Sequence, residues 1–397
     1  MAGLMAFVNQ RWLKLPPTIG IMVASMLFSI LLSVVGSSVI DLLPGFKNTI
    51  HNLHFENLVL HILLGFLLFA GAFHLDADLL KKELVPIITL STVSTFISTA
   101  IMGAFMYYLL PLFHFTAPLL DCLMFAAVLS PTDPIAVLAI LRKAGLNKNL
   151  EMKIAGESLF NDGVAVVVFV LLLKVSVLGT ASLNAGSITL LFVRQALGGL
   201  AFGAGIGVFT NYLIRQSRQY EMAILITVGV VMGGYRIAEL LELSGPLAMV
   251  VAGIVVGNKQ RRERGMSHLV HFWEMMDEIF NTILFMLMGF EMLLIHFNLV
   301  WVGLGAIAIV ALLLARWASV IIPYRFIRRW ADFEQHAVSI LTWGGLRGGL
   351  SVAMALSLPE GNLKSVFVTV TYVIVVFSIV VQGLTIGRFY RWLSVKK

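Results

Sequence analysis

Residues 156–163, GESLFNDG, bring together four polar side chains, two of them carboxylates: Glu157, Ser158, Asn161 and Asp162. On a helix of 3.6 residues per turn, Ser158 and Asp162 are four apart and share a face, and Glu157 and Asn161 share a neighbouring one. Glu157 and Asp162 therefore point about 140° from each other. One face offers hydroxyl plus carboxylate, oxygen ligands suited to a small hard cation. The other offers carboxylate plus amide, a structural anchor. The stretch lies in a long apolar run, where a charged side chain costs at least ~2.5–3.5 kcal/mol at bilayer depth and needs a partner or a task.

Two further segments carry the same kind of chemistry. SPTDP (130–134) holds Thr132 and Asp133 between two prolines, and GGLRGG (344–349) holds Arg347 among four glycines. Proline lacks the N–H that a helix interior uses and glycine weakens helix, so both segments should interrupt the spans that contain them. Backbone left open there adds carbonyl oxygens to Thr132 and Asp133 as cation ligands. These oxygens suit Na⁺, and there is no His/Cys cluster for a transition metal. Arg316, inside another span, is assigned to Glu157 as its ion-pair partner. Arg347 either neutralises the helix C-terminus facing it or pairs with Asp133. Asp162 is then the carboxylate without a fixed cation. H⁺ and Na⁺ compete for it, and with Asn at 161 no second mobile carboxylate adjoins it. The expected exchange is one proton per ion, electroneutral. The expected Na⁺ ligands are Asp162, Ser158 and Thr132. Asp133 and Glu157 complete the ion- and proton-binding group, and Glu157, Arg316, Arg347 and Asn161 support it.

The elements that position these residues are membrane helices. Of 397 residues, 59% are hydrophobic and only 12% charged, with mean hydropathy +0.94. Soluble domains are nearer half apolar and a quarter charged. Runs long enough to cross a bilayer, about 20 residues each, fall at 19–40, 57–75, 84–110, 119–141, 154–178, 188–213, 221–241, 246–257, 269–296, 299–323, 335–358 and 365–387. The eighth is short, either lengthened by its flanks or re-entrant. With these twelve spans, 21 of the 28 Lys and Arg fall on one side and five on the other. That asymmetry puts both termini of a multi-pass protein in the cytoplasm, and the plasma membrane, here a bacterial inner membrane, is the expected setting. The net charge of +7 thus reports topology and not a nucleic-acid partner. Interrupted fourth and eleventh spans of opposite orientation are the pattern of an inverted-repeat transporter with its site where they cross. The single Cys122 excludes an intrachain disulfide, and no cofactor is expected. His61 and His74 read as satisfied interfacial residues in preference to groups that tune a pH response, and Gly198, Gly199, Gly203, Gly205 and Gly207 as a close-packing stripe in preference to a sliding contact.

The chain resembles the monovalent cation/proton antiporters of the NhaP and sodium/proton-exchanger type. The matching pieces are LPPTIGIM (15–22), LLFAGAFHLDADLL (67–80), SPTDPIAV (130–137), GESLFNDGVAVVVF (156–169), LSGPLAMVVAGIVVGN (243–258) and LTWGGLRGGLSVAMALSLP (341–359). The resemblance implies an all-α, polytopic, NhaA-like antiporter fold in which two unwound helices cross. It implies that Asp162 carries the ion or proton and that Asn161 marks the electroneutral group. It also implies that Thr132, Asp133 and Ser158 join the site, and that Glu157 pairs with Arg316. It further implies a homodimer with a moving core, here 84–178 and 299–387, and a static scaffold, 19–75 and 188–296, within one transmembrane domain spanning 1–397. Residues 1–13, ahead of Lys14 and LPP, are too short for the extra first helix usual in relatives, and no regulatory domain is expected after the last span. The function expected is Na⁺(Li⁺)/H⁺ antiport by alternating access, not an enzymatic reaction. K⁺/H⁺ exchange is the alternative within transport. An intramembrane aspartyl protease built on Asp133 and Asp162 leaves Arg316 and Arg347 unexplained, and a passive channel leaves the buried ion pairs unexplained.

Overall fold

The computed structural model describes residues 1–35, 42–178, 185–217, 219–262, 266–295, 298–328 and 336–395. Arg218, Arg264, Arg329, Lys396 and Lys397, counted above on the basic side, lie outside them, as do the ends of the first, ninth and eleventh expected spans. The described residues are helical, with one isolated bridge between extended segments.

The first helix, α1 (Ala2–Val8), runs through a π turn (Asn9–Leu13) to a left-handed Lys14. The Asn9 side chain closes this corner by pairing with both backbone groups of Leu15, at 3.1 Å each. Then come α2 (Pro17–Val35), α3 (Leu42–Asn52) and the short α4 (Phe55–Leu58). A π turn (Val59–Leu63) joins α4 to α5 (Leu64–Phe73). Next are α6 (Ala77–Lys82), capped by Asp76, α7 (Leu84–Leu109), α8 (Leu119–Val128), α9 (Ile135–Lys143) and α10 (Lys148–Leu178). The chain continues through α11 (Ala185–Ser217), α12 (Tyr220–Leu240), α13 (Gly245–Gln260), α14 (Ser267–Glu291) and α15 (Leu299–Ile327). It closes with α16 (Ala337–Trp343), α17 (Gly349–Leu356), α18 (Lys364–Phe377) and α19 (Gly383–Val395), the last two joined by a π turn.

Eight helical stretches among the described residues are long and apolar enough to cross a membrane. The other four expected spans depart from that pattern for readable reasons. α13 has 16 residues, about 24 Å of helix. Its flanks lengthen the short eighth run, with Ser244 capping the start by accepting the Leu247 N–H at 3.3 Å. α14 is 25 residues long but carries Glu274, Asp277 and Glu278 on one side. The other two spans are the interrupted pairs α8/α9 and α16/α17, broken at the prolines of SPTDP and the glycines of GGLRGG.

Helices pack in two sets. In one, α13 lies between α11 and α5. A Cβ on Gly203 would collide with the Ala248 carbonyl, and one on Gly253 would stand 2.5 Å from the Phe69 carbonyl oxygen. Gly199, Gly203 and Gly207 form the contact face on α11, whereas Gly205 faces open space, so part of the small-residue stripe packs and part does not. α12, α14 and α2 complete this set. Trp273 of α14 anchors it, fully buried, with its indole N–H on Thr227 Oγ1 at 3.2 Å and its ring against Phe66, Phe69 and Phe73. The second set joins α7 to α8, α10 and α15, and α18 to α15 and α17. Ser94 donates to the Ser319 carbonyl at 2.6 Å between α7 and α15. Leu190, Leu197 and Val208 on α11, Leu225 on α12, and Val310 and Leu314 on α15 are exposed, as an apolar solvent requires.

Candidate ion-binding site

The two interruptions meet. Asp133 N–H donates to the Leu346 carbonyl at 2.8 Å, a one-residue antiparallel bridge that ties the extended backbone of one broken helix to that of the other. Each break leaves half-helix ends with unpaired backbone groups, and two charged side chains answer them. Asp133 accepts the Ile135 N–H at 2.9 Å, placing its charge at the start of α9. Arg347 reaches across from the other helix and donates through Nη1 to the Ser130 and Pro131 carbonyls, both at 2.8 Å, beyond the end of α8. Of the two partners considered for Arg347, the structure has the helix-end carbonyls and not the Asp133 carboxylate.

The glycines of the second break do more than weaken helix. A Cβ on Gly348 would lie 2.5 Å from Asp133 Oδ2, and one on Gly345 would lie 2.8 Å from Arg316 Nε. Both positions admit a charged side chain against the backbone, which only glycine permits.

α10 supplies the third wall. Glu157 and Arg316, 1% and 4% exposed, meet through two contacts, Oε1–Nη1 at 2.7 Å and Oε2–Nη2 at 2.9 Å. Arg316 Nε also points at the Leu341 carbonyl, 3.4 Å away on α16. Ser158 Oγ lies 3.0 Å from Thr132 Oγ1, joining α10 to the first break. Asn161 is fully enclosed. Its amide donates to the Ser130 carbonyl (3.1 Å) and to Thr132 Oγ1 (3.3 Å), and its Oδ1 lies 2.6 Å from the Thr95 hydroxyl. Asp162 lines the cavity beside Thr132 and Asp133 of the same break, while its Oδ1 has no partner among the described residues. The charges of Asp133, Arg347 and Glu157 all act on it.

Asp133 and Asp162 are only partly enclosed, because both line a cavity of about 790 Å³. It runs from the crossing, past Thr132 and Gly348, to a mouth with Asp76, Arg142, Lys148, Glu151 and Arg261. That mouth lies on the face assigned to the basic loops. There Asp76 caps α6, and the Leu79 and Asp78 N–H groups hold its carboxyl below the usual carboxylate range. Arg261 donates to the His74 carbonyl at 2.8 Å and to the Leu75 carbonyl. His61, on another face, is satisfied by Glu239 at 2.8 Å. His74 differs from its expected reading: it lines the mouth, and its Nε2 is buried without a partner among the described residues.

Thr132, Asp133, Ser158 and Asp162 are thus brought together, with Asn161 beneath them and Arg347 across the break. Glu157 is adjacent but turned away from the cavity into its pair with Arg316. Reasoning from sequence missed the wall opposite. Glu274, Asp277, Glu278 and Asn281 of α14 all line the cavity, and their spacing of three and four within an apolar span was the available signal. It also missed Lys153–Glu83, a buried ion pair of 3.1 Å between α10 and the start of α7. Among the described residues no group of His, Cys, Asp and Glu has the arrangement of a metal centre.

The family described as "Sodium/hydrogen exchanger, transmembrane" matches residues 1–392. The chain is 40% identical to the Na(+)/H(+) antiporter NhaP of Pseudomonas aeruginosa, over 98% of this chain and 94% of that protein. It is 34% identical to the Na(+)/H(+) antiporter NhaH of Halobacillus aidingensis, over 84% and 82%. The solved structure of the sodium proton antiporter MjNhaP1 from Methanocaldococcus jannaschii covers 96% of this chain and 98% of its own, with a TM-score of 0.71 at 18% identity, a likeness of fold. Fold, motif order and full-length similarity agree, and the chain belongs to the sodium/hydrogen exchanger family of transmembrane proteins.

Proposed function

We propose that this protein exchanges Na⁺, or Li⁺, for H⁺ across the membrane, one ion for one proton, at the Asp162 carboxylate. The observation that carries this reading is the contrast between two acids on one helix. Glu157 is neutralised by Arg316 through two contacts. Asp162 has an oxygen without a partner among the described residues and sits at the floor of a cavity open to one face. A carboxylate in that position takes a cation or a proton, not both at once. Thr132, Ser158 and Asp133 add hard oxygen ligands around it. Arg347 and the Asp133 cap balance the half-helix ends, so the breaks stay open whichever ion is held. Glu157 acts through Arg316 as a structural anchor.

In this reading the helices around the crossing, 84–178 and 299–387, move as a core against a scaffold of 19–75 and 188–296. The support is the packing of α7, α8, α10, α15, α17 and α18 among themselves. The basic face is the cytoplasmic one, so the cavity is open inward. The surrounding membrane is the cell's plasma membrane, and assembly is as a homodimer through the scaffold helices.

Reconstitution in proteoliposomes tests the proposal. A Na⁺ or Li⁺ gradient should drive a pH change of opposite sign, K⁺ should drive less, and Asp162→Asn should abolish the response while the protein still inserts and melts cooperatively. Exchange in Asp162→Asn at the wild-type rate would remove the assignment. A response to K⁺ alone would move the substrate to K⁺/H⁺ exchange.

A further inference from the structure

The cavity has two walls of different character. One is the crossing, with Asp133 and Asp162. The other is α14, which belongs to the opposite set of helices and presents Glu274, Asp277, Glu278, Asn281 and Leu284 along one stripe. Leu284 closes the stripe at depth against the backbone of Gly349. Glu274 and Glu278 are exposed near the mouth, whereas Asn281 is 2% exposed.

Asn281 and Asp277 are bound to each other in an uneven way. The Asn281 amide donates to the Asp277 carbonyl at 2.8 Å and to Asp277 Oδ1 at 3.0 Å. Its donors are spent on the neighbour one turn earlier. Its own carbonyl oxygen, Oδ1, is buried and has no partner among the described residues. A buried acceptor without a donor is costly, and native proteins rarely keep one without a use. A pair that served only to tie one helical turn to the next has no need of such an oxygen on a cavity wall. The ligand this pair lacks is one that accepts electron pairs. Carboxylate and amide oxygens side by side, with no cationic side chain bound to either among the described residues, suit a hard monovalent cation that keeps part of its water shell. Asp133 lines the same cavity on the far wall, so an ion placed here also feels the crossing site.

We propose that Asp277 and Asn281 form a second alkali-cation subsite, on the scaffold wall of the cavity, where Na⁺ is held between the mouth and Asp162. The inference rests on the exchange reading above and extends it. Glu274 and Glu278 concentrate cations at the mouth. Asp277 and Asn281 hold one a turn deeper, and the crossing takes it from there. Because α14 lies outside the set of helices that carries Asp162, this subsite stays with the inward opening when the crossing turns away.

The test uses the purified full chain. In an Asp133→Asn/Asp162→Asn background both carboxylates of the crossing are gone, and equilibrium binding of radioactive Na⁺ should persist. Adding Asp277→Asn or Asn281→Leu should remove it, with thermal melting to show that each variant is folded. Asn281→Leu carries the test should Asp277→Asn fail to fold. No Na⁺ binding in the background, or binding unchanged by either addition, overturns the proposal. In proteoliposomes, the same substitutions in the otherwise native chain should raise KM for Na⁺ roughly tenfold, a larger change than the fall in kcat. An unchanged KM overturns it as well. Absence of exchange by the native chain would remove the antiport reading and leave the binding result standing. Native exchange without binding in the background removes the second subsite alone.

Discussion

The Glu157–Arg316 pair offers a sharp test of how the core is held. The two side chains are 1% and 4% exposed and meet through contacts of 2.7 and 2.9 Å. Neutralising one partner strands a charge where water does not reach, a change that costs about 3–5 kcal/mol. Glu157→Gln strands the guanidinium. Arg316→Gln strands the carboxylate and also frees the Leu341 carbonyl, 3.4 Å from Nε, so it should be the more damaging of the two. The double variant strands no charge and leaves two neutral amides that can bond to each other, so it should cost far less than the two single changes summed. With about 3–5 kcal/mol for each single change, the double-mutant cycle should therefore give a coupling at or above the roughly 3 kcal/mol upper end for residues in contact. Thermal melting of the four proteins in one detergent, without Na⁺, reads it. The double variant should melt above Arg316→Gln. Additivity within about 0.5 kcal/mol would mean that the pair holds nothing together, and the structural role given to Glu157 would fall with it.

Three further outcomes follow from the packing and the charge count. Arg347→Ala leaves the Ser130 and Pro131 carbonyls without their charged donor and should destabilise the fold by roughly 3 kcal/mol or more. Arg347→Lys should recover part of this, since both bonds come from one nitrogen; equal melting of the two variants would contradict the helix-end role. Gly203→Ala sets a methyl against the Ala248 backbone, which cannot rotate away, so a loss near the top of the about 1–3 kcal/mol range for overpacking is expected; a wild-type melting temperature would show that α11 and α13 are not in close contact. Imposing a membrane potential with K⁺ and an ionophore should leave the initial exchange rate within roughly twofold of its value at zero potential, because a one-for-one exchange moves no net charge; a steep dependence would refute the stoichiometry.

Much of the architecture was legible in local chemistry. Pro131, Pro134 and the glycines of 344–349 interrupt helix wherever they stand, because the defects are in their own backbone. The breaks accordingly fall between Val128 and Ile135 and between Trp343 and Gly349. Glu157 could be assigned to Arg316 because few charged groups of opposite sign were available in the spans. The acidic stripe of α14 went unread, although Glu274, Asp277 and Glu278 were as visible as Glu157. A lone acid amid apolar residues demands an account, whereas a run of acids near a span end reads as a solvated face. His74 was misread for a related reason. Its place at a helix end looked interfacial, and only the return of Arg261 to the His74 and Leu75 carbonyls closes the mouth around it.

The sequence alone determined that the chain crosses a membrane many times, where two of its helices must break, and which acids lie too deep to be left without purpose. Those properties follow from hydropathy, backbone chemistry and the cost of charge, all carried by single residues and their near neighbours. Tertiary structure alone decided that Arg347 answers the Ser130 and Pro131 carbonyls, 217 and 216 positions away, and that Gly345 and Gly348 are spaces for Arg316 and Asp133. It alone set Asp277 opposite the crossing. Each of these depends on how far one helix stands from another, and that distance is set by packing across the whole fold.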